Sequence, residues 1–336
     1  MNRPSCRLRV TNSHRTTTEV LNLKLHSPCL DSHRWQSETS VRNPETLLKF
    51  WSNNIETLSS SEVKFLNALA ADKTETLPLR DQAKETPLVI RGSFLRKLIL
   101  GQLGENLVPP EGIDIKHAQV IGDVVLRGCT VDFPISLEHC KVLGILDFSG
   151  ATIVDLVLKG TSVERLYLSE IICRGSIVLS YGFRTLHPMV ARGARIGGQL
   201  GCSGGAFLGY PLAISIEAAK IEEAFFWRQV KGLWGIVDLT NARVGCLIDD
   251  PDSWPSRGNL RLNGFTYGSF ESNTSTIYFD RLDWLRRQYE PHLADDFRPQ
   301  PFEQLAKVLR ETGREAEATK IAISKLHFQR DANFLR

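Results

Sequence analysis

Val120, Val131, Val142, Ile153 and Val163 step along this chain by 11, 11, 11 and 10 residues. Two places before each stands a compact residue: Ala118, Cys129, Cys140, Ala151 and Thr161. Four and six places after the first three marks come the apolar pairs Val124/Leu126, Ile135/Leu137 and Leu146/Phe148, and the next pairs, Leu156/Leu158 and Leu166/Leu168, arrive one residue early. Residues two apart on a strand face the same way, so each unit offers two short inward pairs. One unit cannot bury such a face alone, and stacking neighbours can. The spacing therefore predicts a solenoid of short parallel strands, two to four residues each, with two units per turn of 20–22 residues. Parallel crossovers are almost always right-handed. Ile177/Leu179, Ala194-x-Ile196 with Leu200/Cys202, Ala219-x-Ile221 with Phe225/Trp227, Val237/Leu239, Ala242-x-Val244 and Leu260/Leu262 continue the register. Residues 181–188 and 249–258 interrupt it and read as loops bulging from a corner.

The flanks carry other patterns. Residues 1–45 are rich in Ser, Thr, Asn and Arg without regular apolar spacing, so they read as a disordered segment. Their acid-poor, Arg- and Ser-containing start also fits a targeting or secretion signal. Residues 46–110 read as a helical N-terminal cap. Ser59, Ser60 and Ser61 offer an N-cap to an amphipathic helix over 62–69, and a second helix starts near Ser93 with Phe94, Leu95, Leu98 and Ile99 inward. The β-helix spans 111–275. Residues 276–336 switch to helical period: Leu282, Leu285 and Tyr289 line one helix, and Phe302, Leu305, Ala306 and Leu309 a second that ends at Gly313. Ala318, Ile321, Ala322, Lys325 and Leu326 line a third. Open end turns need a cover for their strand edges, so these helices are expected to cap the solenoid, with Leu305, Leu309, Ile321 and Leu326 buried. The fold class is thus mainly β: a right-handed parallel β-helix with helical caps at both ends.

No run of about 18 apolar residues predicts a membrane-spanning helix. The seven Cys include no CxxC pair, which argues against a disulfide framework and for a reducing compartment. Residues 113–265 carry 15 Lys/Arg and 15 Asp/Glu. So even a balance fits neither a strongly acidic DNA mimic nor a nucleic-acid binder with a basic stripe.

No residue qualifies as catalytic, cofactor-binding or metal-ligating. Gly193, Gly197, Gly198 and Gly201 lie inside the repeat register rather than between a strand and a helix, so they read as corner glycines and not as a phosphate cradle. Paired carboxylates for glycoside chemistry would have to share a slot on adjacent turns. Asp123, Asp132, Asp147 and Asp155 occupy different slots, and Asp132 and Glu164 share one only at a distance of about one and a half turns; all read as solvated outward residues. Cys129 and Cys140 fill the compact inward slot as small hydrophobes. His117 and His139 sit beside corners, without the carboxylates that would orient metal ligands.

The recurring compact–x–branched unit resembles the pentapeptide-repeat proteins, four-sided right-handed parallel β-helices. Four stretches, Ile90-Arg91-Gly92-Ser93-Phe94-Leu95-Arg96, Ala194-Arg195-Ile196-Gly197-Gly198-Gln199-Leu200, Arg281-Leu282-Asp283-Trp284-Leu285 and Pro299-Gln300-Pro301-Phe302-Glu303-Gln304-Leu305-Ala306, are similar to a bacterial family usually labelled "membrane-associated oxidoreductase". That resemblance implies redox chemistry with a site in the inserted loops, and membrane association. The residues themselves point to a non-enzymatic scaffold in the cytoplasm, without cofactor, whose long flat faces take a protein partner. A secreted effector using residues 1–45 as its signal is the further alternative.

Overall fold

The computed structural model describes residues 58–70, 88–104 and 107–334. The expectation of disorder over 1–45, and parts of the N-terminal cap (46–57, 71–87 and 105–106), lie outside them. From Ile113 onward the chain winds into a parallel β-solenoid of about seven turns. Ile113 lies in register with Ile135, then Leu156, Ile177, Leu200, Phe225, Leu247 and Phe270. Turns are therefore 21 to 25 residues long, wider than expected. Each meets its neighbours at four stations, except the last turn, which lacks the second. The first and fourth belong to one sheet and the second and third to the other.

Two corners of every turn but the last share one backbone device. Gly128, Gly150, Glu170, Gly193, Ala218, Asn241 and Gly264 stack between the third and fourth stations, with φ between +56° and +74°. His117, His139, Gly160, Tyr181, Gly204 and Gln229 stack between the first and second, with φ between +52° and +70°. A left-handed residue at the third place of a tight turn reverses the chain sharply. The residue after it closes the turn: the amides of Ala151, Ala194, Ala219 and Ala242 donate to the carbonyls of Phe148, Ala191, Ile216 and Leu239. Those closers are the compact residues of the repeat, which explains their place. Two such corners per turn set the period of ten to eleven.

The marks Val120, Val131, Val142, Ile153 and Val163 are all buried in one core, as are both members of every predicted pair. Cys129 departs from its slot: it is half-buried, whereas Cys140 is enclosed. Several strands exceed the expected two to four residues because they bend through a corner. Lys141–Asp147 pairs with both Gln119–Ile121 and Val124–Val125, and Lys220–Trp227 with both Arg195–Ile196 and Leu200–Gly201. Residues 181–188 are not a bulging loop. Arg184–Thr185 is a strand between two others, and Phe183 and Thr185 take the compact and branched positions with unusual residue types. The 249–258 insertion folds back as the short 3-10 helix Pro251–Ser253 and buries Trp254. Larger interior rings accompany the wider turns: Phe183, Phe207, Trp227 and Trp254 pack in series with ring centroids 5.8, 5.3 and 5.8 Å apart.

Helices flank the rod. α1 (Ser60–Ala70) and α2 (Gly92–Ile99) lie at the start. Between them Val89–Arg91, in a segment read as helical, instead adds a parallel strand to Gln119–Ile121. α3 (Tyr278–Arg286), α4 (Gln300–Glu311) and α5 (Glu315–Phe334) follow the last turn. Leu282, Leu285, Phe302, Leu305, Ala306, Leu309, Ala318 and Ile321 are buried, and Gly313 adopts φ +77° at the end of α4. Tyr289 lies beyond α3 and is exposed. Leu326 is 58% exposed, because α5 turns Ala318, Ile321 and Phe328 toward the core and leaves Leu326 on its outer side. One hydrophobic core runs from Phe65 through the solenoid to Ile321.

Candidate functional site

The densest polar chemistry lies where the last turns meet α3. Asp249 stands in register beside Trp227 in the inward row of the first station, so it is a carboxylate at a core position. Its oxygens accept from Arg281 Nη1 at 2.9 Å, Arg281 Nη2 at 2.7 Å and Trp254 Nε1 at 2.6 Å. Arg281 Nε donates to the Ser275 carbonyl at 2.6 Å, and the guanidinium lies 4.3 Å from the Phe270 ring centre. Both side chains are almost wholly enclosed. Trp254 packs between Trp227 and Trp284 with its ring tilted to both, centroids 5.8 and 5.6 Å away. A carboxylate so enclosed and bonded is not offered to a substrate. The arrangement instead fixes α3 on the solenoid, since a buried pair holds only when both partners are in place.

The sheet edges at this end are closed by the same segment. The Leu260 amide donates to the Arg287 carbonyl and the Tyr289 amide to the Leu260 carbonyl, so residues 287–289 extend the third station. Along α4, Gln300 and Gln304 are four apart and face the same way. Gln300 accepts from the Gly264 amide at 2.9 Å and donates to the Phe265 carbonyl at 3.0 Å, and Gln304 donates to the Tyr267 carbonyl at 2.7 Å. At the other end Ser59 and Glu62 form a reciprocal capping box on α1: the Ser59 amide donates to Glu62 and the Glu62 amide to Ser59 Oγ. Glu62 also accepts from the Arg91 amide and guanidinium. Burial opposes ionisation of Glu62, but these bonds outweigh it and hold its carboxyl below the usual range.

Most residues singled out in the sequence serve the rod itself. Gly193 is a left-handed corner. A Cβ on Gly197 would lie 2.2 Å from the Arg174 carbonyl oxygen, and one on Gly198 2.4 Å from Ser176 Oγ. Asp123 and Asp155 accept from the Ile145 and Ser176 amides of the next turn. Asp147 is buried rather than solvated. Burial raises its pKa, yet the bonds from Ser149 and Arg127 prevail and hold it low. Asp132 pairs with Arg174 at the fourth station, whereas Glu164 continues a strand of the second, so their shared slot falls on different sides. His117 and His139 are exposed, with parallel rings 5.2 Å apart. No group of three or more metal-ligating side chains occurs among the described residues. Burial pushes the thiols of Cys140 and Cys173 up to about 11 and about 12, and that of Cys202 up as well, which removes their nucleophilic form at neutral pH.

The sequence pattern did not single out Asp249, Arg281, Trp254, Gln300 and Gln304 individually. Arg281, Gln300 and Gln304 nonetheless lie within the motif stretches, and an acid at the inward place after Trp227 is itself a break in the repeat. Also missed were outward rows. Leu186, Leu208 and Trp234 stack at the end of the second station, continuing a row begun by Ile121 and Leu143, with Tyr210 beside them. Glu164 interrupts the row. Leu186, Trp234 and Tyr210 are 49%, 63% and 82% exposed. No described helix is long and apolar enough to cross a membrane.

The fold defines the class: a parallel β-solenoid repeat protein closed at its last turn by helices. Protein-family models, curated proteins and solved structures yield no match to the chain.

Proposed function

We propose that this protein is a non-enzymatic scaffold that presents the outer rows of its rod to a protein partner. The carrying observation is the apolar row of Leu186, half-buried Leu208 and Trp234 on consecutive turns, with exposed Tyr210 two residues beyond Leu208. Contiguous exposed apolar surface on a protein whose core is already full marks an interaction site more often than chance. The four-station turn and its compact–x–branched unit favour kinship with pentapeptide-repeat proteins, although turns of 21 to 25 residues depart from a strict pentad. The motif stretches that resemble the bacterial oxidoreductase family supply ion pairs, edge contacts and tight corners in this fold. They support membership of that structural family more than its chemistry. We place the protein in the cytoplasm, where buried thiols stay reduced, and a reporter fusion of residues 1–45 tests the secreted alternative.

Affinity capture with the wild type and a Leu186→Ser/Tyr210→Ser/Trp234→Ser variant tests the scaffold. The expected result is a protein retained by the wild type and lost by an equally stable variant. Equal retention by both overturns the role of the row. Flavin or nicotinamide absorbance in the purified protein overturns the non-enzymatic reading.

A further inference from the structure

Arg195, Lys220 and Arg243 occupy one outward row of the fourth station on three consecutive turns, Arg195 in register with Lys220 and Lys220 with Arg243. The sequence, read as charge totals, showed no basic stripe; winding the chain creates one. All three are exposed. Like charges directly opposite on neighbouring strands destabilise a sheet, so the row carries a cost that nothing in the rod requires. Lys220 is partly neutralised by Glu222, 2.5 Å away, whereas Arg195 and Arg243 have no carboxylate partner among the described residues. Two places before the cations stand Gly193, Ala218 and Asn241, and two places after stand Gly197, Glu222 and Gly245. Small residues therefore flank Arg195 on both sides and Arg243 on one, while the acids Glu217, Glu222 and Glu223 cluster around Lys220.

We propose that this row seats an acidic helix of a partner protein, laid along the rod. Successive turns repeat at about 4.8 Å, close to the roughly 5.4 Å pitch at which acids three or four apart recur on one side of an α-helix. An extended peptide repeats a face only every 6.8 Å or so, and duplex phosphates crowd at about 3.4 Å per strand. A helix is therefore the partner whose charges meet each rung, and long Arg and Lys side chains absorb the small mismatch. The glycines beside Arg195 and Arg243 let its backbone approach. The inference rests on the scaffold reading but uses the fourth station, opposite the apolar row at the end of the second.

The test uses the full chain and a synthetic alanine-rich helical peptide with glutamates along one side, against a scrambled peptide of the same composition. Fluorescence anisotropy at low salt is expected to show saturable binding that weakens as salt rises. Binding should weaken at least about tenfold for the scrambled peptide and for Arg195→Glu/Arg243→Glu. Thermal unfolding of that variant should lie no lower than the wild type, because the changed residues are exposed and the like-charge row is relieved. No saturable binding, equal binding of the scrambled peptide, or equal binding by the variant overturns the proposal. So does a single-stranded oligonucleotide of equal charge that binds more tightly through the same arginines. Retention of the partner captured through Leu186, Tyr210 and Trp234 would then confine the failure to this face.

Discussion

Single glycines in this rod answer to two different constraints, which substitution separates. Gly128 has φ +66° with nothing within 4 Å of a built Cβ. Gly128→Ala should therefore cost only the left-handed penalty, about 1 kcal/mol, in urea denaturation. Gly197 lies at a corner where a Cβ would meet the Arg174 carbonyl oxygen at 2.2 Å. Gly197→Ala must move backbone and should cost clearly more than Gly128→Ala; equal losses would show that corner contact to be slack. The same residues explain what could be read in advance. The compact slots were legible because inward space restricts residue size. The left-handed positions just before them were not, since Glu170, Ala218 and Asn241 serve there as well as Gly193 and Gly264.

Among elements, the helices at both ends are held by a buried carboxylate paired with an arginine. Asp249 and Arg281 are both enclosed, so removing either strands the other. Asp249→Ala or Arg281→Ala should each destabilise by about 3–5 kcal/mol, and the double variant by much less than the sum. Additive losses in a double-mutant cycle would deny the coupling. At the start of the rod, the Glu62 pKa is lowered by its bonds to Ser59 and Arg91 despite burial. A lowered folded pKa stabilises above the ordinary carboxylate range, and that stability is lost as pH falls through the folded value. The wild type should thus lose stability on acidification more steeply than Glu62→Gln, which should already be weaker at neutral pH. Parallel acid profiles would contradict this. The helix periods were visible in Phe302, Leu305 and Leu309. Leu326 was not legible from apolar spacing, because the inner side of α5 is shared with Tyr278 of α3, whose hydroxyl meets Ser324.

At the scale of the whole molecule, the repeat forecast the solenoid because its period is fixed by backbone geometry. The closure and the outer rows were hidden because they join residues far apart in sequence. Leu260 with residues 287–289, Gln300 with Gly264, and Arg195 with Lys220 and Arg243 become neighbours only once the chain is wound. Closure makes α3, α4 and α5 part of the rod, and exposed parallel edges would otherwise invite pairing between molecules. Size-exclusion chromatography with light scattering on the chain lacking residues 277–336 tests this most directly. Such a chain loses Arg281, Gln300 and Gln304 and uncovers both sheet edges, so oligomers or aggregates are predicted beside a monomeric full-length protein. A folded, monomeric truncated rod would contradict the account.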